Sequence, residues 1–85
     1  MADAEANPAL KALRLLAAGE FDAAHALVQD DPSREAAWVH AHLHRVEGDL
    51  SNAGYWYRRA GRPQAVNSLE DERQAIEKVL SNTTG

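Results

Sequence analysis

The apolar residues of this chain recur at steps of three and four in short runs, and glycine or proline separates the runs. This spacing places apolar side chains on one face of an α-helix, whereas a half-buried strand would require strict alternation. Glycine just after a run and proline at its start are typical helix ends. The pattern predicts an all-α fold of about five helices, over residues 8–18, 21–29, 33–47, 50–60 and 68–80.

A short motif occurs twice, at residues 19–24 and 48–53. Both copies consist of glycine, an acid, an apolar residue, a polar residue, a variable residue and alanine. The glycine ends one helix, the acid begins the next, and the alanine lets the two helices approach closely. The duplication predicts two stacked antiparallel helical hairpins, with a fifth helix capping the end of the stack.

The second copy of the motif resembles the tetratricopeptide-repeat family. In that family a glycine-containing turn is followed by an alanine, a large apolar residue four positions later and another alanine three after that. Ala53, Tyr57 and Ala60 occupy these positions, and Ala24 and Val28 match the first two in the other copy. Residues 44–61 also look like a segment found in small uncharacterised bacterial proteins. The resemblance implies a right-handed array of hairpins that acts as a non-enzymatic protein–protein interaction module.

The length of 85 residues and the hydrophobic content of 45% predict one domain over residues 1–85, with flexible ends at 1–7 and 81–85. The net charge of −4 argues against a nucleic-acid partner, because phosphate binding requires a basic surface. No stretch approaches the roughly 18 apolar residues of a membrane span, and the first residues lack a signal-peptide pattern. With the absence of cysteine, these features predict a cytoplasmic protein without membrane association.

Residues 55–57 are three consecutive aromatics on the fourth predicted helix, followed by two arginines. Successive helical side chains point about 100° apart, so the three rings cannot all enter one core. Aromatic residues and arginine are enriched at interaction hot spots. In the alternative interpretation, the rings cover core edges and the arginines pair with Glu47 and Asp49. The predicted partner-binding residues are Tyr55, Trp56, Arg45, Arg58 and Arg59.

The histidines are the candidates for a chemical site. His40, His44 and Glu47 have i, i+4, i+7 spacing, which puts three potential metal ligands on one helix face, and His25 lies on the preceding helix. The alternative function is therefore a metal-binding protein that uses His25, His40, His44 and Glu47. The other interpretation is that the imidazoles pack between helices, with their nitrogens bonded to Glu47 or to backbone carbonyls.

Two further expectations concern histidine. A half-buried His40 or His44 is expected to titrate near neutrality, which would make an interface sensitive to pH. His42 points to the opposite side of the third helix, where a surface position is expected.

No catalytic motif is present, because the sequence has no cysteine, no nucleophile-elbow motif and no glycine-rich phosphate loop. The acids at 70–72 are interpreted as favourable helix-start charges. We therefore expect no enzymatic activity and no cofactor.

The expected partner is a peptide in the groove between the hairpins or a second copy of the chain, which would form a homodimer through Ala9, Leu13 and Leu16. Gly54, inside a helix, is expected to mark a close helix crossing.

Overall fold

A computed structural model describes residues 7–82, which form five α-helices and contain no strand. The all-α prediction is confirmed, and each predicted helix differs from the observed one by at most two residues at either end. None of these helices combines the length and the hydropathy that a membrane crossing requires. The expected flexibility of residues 1–6 and 83–85 lies outside the described residues. The helices are α1 (Pro8–Ala17), α2 (Phe21–Val28), α3 (Arg34–Glu47), α4 (Leu50–Ala60) and α5 (Leu69–Asn82).

Local hydrogen bonds explain where the helices begin and end. The side-chain oxygen of Asn7 accepts a hydrogen bond from the amide of Ala9 at 3.1 Å, and the Ser33 hydroxyl accepts one from Ala36 at 3.1 Å. These contacts satisfy amide groups that have no partner within the first helical turn. At the end of α3, Gly48 has φ +83°, a left-handed conformation that a side chain would strain. The corner between α3 and α4 therefore depends on this glycine.

The helices pack as two consecutive pairs, α1 with α2 and α3 with α4. Ala24 and Ala53, the alanines of the duplicated motif, are completely buried. Small side chains thus lie in the interior where the motif predicts a close approach of helices. The fifth helix packs against α1 and α3, the first helix of each pair. It therefore contacts both hairpins, instead of capping only the second one.

The apolar stripe of α1 is part of the interior. Ala9 is 1% exposed and Leu13 is completely buried, because both α3 and α5 pack on α1. Ile76 and Leu80 of α5 are also completely buried. The prediction of a self-association surface is wrong for Ala9 and Leu13, which lie in the chain's own core, whereas Leu16 is only partly buried.

Gly54 does not mark a close helix crossing. A β-carbon built on Gly54 would lie 3.4 Å from Oε1 of Gln64 and 3.6 Å from Nη1 of Arg58. Both atoms are ends of flexible side chains, which can move aside at low cost. The expected reason for this glycine is therefore wrong, and alanine is compatible with the position.

Candidate functional site

Three histidines converge between α2 and α3. His40 and His44 lie one helical turn apart on α3, and their rings stack with centroids 4.9 Å apart. His25 on α2 faces them, and its Nε2 lies 3.1 Å from Nε2 of His40. One nitrogen from each ring lies within 4.8 Å of the other two. The structure thus brings together three of the four residues that the spacing singled out as metal ligands.

Glu47 lies outside this group of three rings. Its Oε1 is 2.7 Å from Nδ1 of His44, and it forms a second, more exposed group with His44 and Asp49. A carboxylate bonded to one nitrogen of an imidazole fixes the ring and leaves the other nitrogen for a ligand. Glu47 is therefore placed to orient His44.

We call His25, His40 and His44 the histidine cluster. His40 is its buried member. It is 4% exposed, and the ring of Trp56 stacks on it with centroids 3.9 Å apart. Its Nδ1 has no hydrogen-bond partner among the residues that the structure describes. Burial, together with the neighbouring His25 and His44, lowers the pKa of His40 to about 4. The expectation that His40 titrates near neutrality is wrong, because the interior disfavours the charged imidazolium.

Trp56 connects the histidine cluster to an exposed patch on α4. The guanidinium carbon of Arg59 lies 5.3 Å from the Trp56 ring centroid and 5.9 Å from that of Tyr55. Nη1 of Arg59 also donates a hydrogen bond to the Tyr55 hydroxyl at 3.1 Å. Tyr55 is 44% exposed whereas Tyr57 is buried, which confirms that the three consecutive rings do not share one core. We call Tyr55, Trp56 and Arg59 the aromatic–arginine patch.

The other two predicted partner-binding arginines are placed differently. Nη1 of Arg45 donates to Oε1 of Glu72 at 2.8 Å, and its Nη2 donates to the backbone oxygen of Asn67. Arg45 is therefore held in an interior network, away from the aromatic–arginine patch. Arg58 is exposed on α4, and its guanidinium lies beside Gly54.

A buried carboxylate forms a second polar cluster on the other side of α3. Glu72 of α5 is 3% exposed, and its oxygens accept hydrogen bonds from Nδ1 of His42 at 2.7 Å, from Arg45 and from the hydroxyl of Tyr57. Burial alone would raise the pKa of Glu72, but the bonds from His42, Tyr57 and Arg45 outweigh burial and lower it. Because the donors belong to α3 and α4, this Glu72 network fastens α5 to both helices.

The expected surface position of His42 is wrong. His42 is 1% exposed, because α3 is buried on every side from Ala36 to Leu43. The neighbours α1, α2, α4 and α5 all pack against this helix or bond to it. The sequence did carry a signal, because residues 36–39, 41 and 43 are apolar and lie around the whole circumference of the helix, which is typical of a buried helix. The partner Glu72 was interpreted only as a helix-start charge.

Comparisons with protein-family models, with curated proteins and with solved structures found no match for this chain. The tetratricopeptide resemblance therefore rests on the sequence motif alone. The function has to be argued from the geometry of the aromatic–arginine patch and of the histidine cluster.

Proposed function

We propose that this protein is a non-enzymatic interaction module that binds an acidic segment of a partner protein through the outer face of α4. The observation that carries the proposal is the placement of the Arg59 guanidinium within cation–π distance of both Tyr55 and Trp56, at 5.9 and 5.3 Å from the ring centroids. Aromatic residues and arginine dominate the binding energy of many interfaces. Side chains already held in place also lose less conformational entropy when a partner binds.

Charge supports an acidic partner. The helix α4 contains Arg58 and Arg59 but no aspartate or glutamate, in a chain whose net charge is −4. Both arginines are exposed, and neither forms an ion pair with a residue that the structure describes. Two exposed cations without an ion-pair partner, one of them beside aromatic rings, attract a segment that carries carboxylates.

The position of α5 argues for the outer face of α4 over the groove between the hairpins. A peptide in the groove would have to contact the first helices of the two pairs, and α5 already packs against both. The Glu72 network and the buried Ile76 and Leu80 hold α5 there. A partner can bind to the outer face of α4 without displacing α5.

Selection from a displayed random-peptide library tests this proposal. We expect the selected peptides to be enriched in aspartate and glutamate, and their affinity to fall about tenfold or more in a Tyr55→Ala, Arg59→Ala variant. Lys11→Ala is the matched control, because Lys11 is an exposed cation on α1. Peptides without an acidic bias, or equal losses in the variant and the control, would contradict the proposal. Light scattering distinguishes binding of a second copy, which would appear as a dimer without peptide.

A further inference from the structure

The histidine cluster lies outside the surface that is proposed to bind a partner. Its rings come from two helices, they are brought together beneath Trp56, and none of them belongs to the outer face of α4. We propose that His25, His40 and His44 form a binding site for a divalent transition metal ion, with zinc as the ion to test. Imidazole is a preferred ligand of zinc, copper and nickel.

The spacing of the nitrogens fits a tetrahedral ion. Two imidazole nitrogens on one zinc ion lie about 3.3 Å apart, since each Zn–N bond measures about 2.0–2.1 Å. The Nε2 atoms of His25 and His40 share a hydrogen bond at 3.1 Å, so an ion could replace the shared proton at nearly the same separation. The nitrogen of His44 lies within 4.8 Å of the other two, so it needs to move by at most about 1.5 Å. A side-chain rotation of His44, which lies at the edge of the cluster, supplies that movement.

Neighbouring side chains hold the ligands in place. The Glu47 carboxylate bonds Nδ1 of His44 at 2.7 Å, an arrangement that directs the opposite nitrogen towards a metal. His40 is oriented by a different means, because the Trp56 ring stacks on it with an interplanar angle of 19°. His40 is therefore held in place before an ion arrives, whereas His44 has to turn about its bond to Glu47 to reach the ion.

The hydrogen bonding of the buried His40 ring is incomplete. Buried polar atoms nearly always have a hydrogen-bond partner, and an exception requires an explanation. The side chain of His40 is almost completely buried, yet its Nδ1 has no partner among the described residues. An ion would bind Nε2 of His40 and replace its contact with His25, whereas Nδ1 lies on the other side of the ring and would not contact the ion.

A bound ion would join the two hairpins, because His25 belongs to α2 and the other two ligands to α3. Three protein ligands on a tetrahedral ion leave the fourth position for water or for an external ligand. The same arrangement predicts a measurable stabilisation, since an ion that binds only the folded chain shifts the unfolding equilibrium.

Titration of the untagged, chelator-stripped protein with zinc chloride tests the site. By calorimetry we expect one ion per chain, and we expect the melting temperature to rise by about 10 °C or more at a hundredfold excess over Kd. His25→Ala and His40→Ala should each abolish this binding. His25 is half-buried, so its variant should fold, and circular dichroism verifies this.

Two matched variants separate this site from the neighbouring group of His44, Glu47 and Asp49. Glu47→Gln should weaken zinc binding about 10- to 100-fold without changing the stoichiometry, because Glu47 only positions His44. Asp49→Asn keeps the α4 cap and should leave the affinity unchanged. The proposal is overturned if zinc gives neither heat nor a thermal shift. It is also overturned if folded His25→Ala binds zinc as the wild type does, or if Asp49→Asn alone abolishes binding.

Discussion

The two polar clusters on α3 each contain a buried histidine, His42 in one and His40 in the other, but they differ in how fully their hydrogen bonds are satisfied. Nδ1 of His42 bonds Glu72, and Arg45 and Tyr57 donate two further hydrogen bonds to the same carboxylate. Around His40, one nitrogen contacts His25 and the other has no partner among the described residues. Burying a polar group destabilises a fold unless it is paired. The Glu72 network is therefore explained by the fold alone, whereas the histidine cluster is not.

Removing the carboxylate of Glu72 is expected to have the largest effect. Glu72→Ala leaves Arg45 and His42 buried without their acceptor, which should lower the free energy of unfolding by about 3–5 kcal/mol. A loss of that size is a large fraction of the stability of a small domain. Urea denaturation followed by circular dichroism measures it. Glu70→Ala removes an exposed carboxylate that bonds Arg73, and should cost far less. Equal losses in the two variants would show that the network does not fasten α5.

The dependence of stability on pH is the second test, because His40 binds its proton less readily in the folded chain. Its pKa is about 4 when folded and 6.5 as a free side chain, so only the unfolded chain takes up this proton between these values. The free energy of unfolding should be highest above pH 6.5 and fall by on the order of 3 kcal/mol as the pH drops to 4. Urea denaturation in the presence of a chelator measures this slope.

The control for the pH prediction is His40→Gln, which should lack the slope between pH 6.5 and 4.5. The lowered pKa of Glu72 affects the free energy of unfolding in a lower pH range. Its contribution is complete above the ordinary value of 4.5 and is lost as the pH falls through its lower, folded-state value. A wild-type protein with constant stability from pH 6.5 to 4.5 would contradict the desolvation of His40.

Two histidines separated by one residue on α3 give a more sensitive comparison. His42→Ala removes a buried donor to Glu72 and leaves a cavity, so we expect a loss of about 2–3 kcal/mol. His44→Ala removes a side chain that bonds only Glu47 at the edge of the cluster, and should cost about 1 kcal/mol or less. Thermal and urea unfolding of both variants, without metal, decide between them. A larger loss for His44 would reverse the comparison.

The smallest expected effect is that of Glu47→Gln. Glu47 is 43% exposed in its side chain, and glutamine retains an oxygen that can accept from His44. The free energy of unfolding without metal should therefore change by no more than about 0.5 kcal/mol. Chemical denaturation in a chelator checks this value. A strong destabilisation would indicate that the pair with His44 is structural, as the bonds around Glu72 are.

The helices themselves could be predicted because their signals act within one or two turns. Asn7 and Ser68 each bond amides two or three residues away, and Gly48 needs only its own backbone conformation to end α3. The convergence of His40 and His44 follows from the helical repeat in the same way. None of these predictions depended on knowing which helix packs against which.

The Glu72 network could not be found from such local patterns. Glu72 follows His42 by 30 positions, and both residues have ordinary local explanations, one as a helix-start acid and the other as a polar residue on a helix. They meet only because α5 packs against α3 and α1. The same packing buries Ala9 and Leu13 of α1, whose local pattern gives no sign of the helix that covers them.

The amino-acid sequence by itself determined the number of helices, the glycine corners and the face of α3 that carries His40 and His44. These features depend on backbone preferences and on contacts between residues close in the chain. The tertiary structure alone decided that His25 meets His40, that Arg45 bonds Glu72 and that α5 covers both hairpins. Such contacts arise where distant helices bury apolar surface together, and no local pattern specifies which helices will meet.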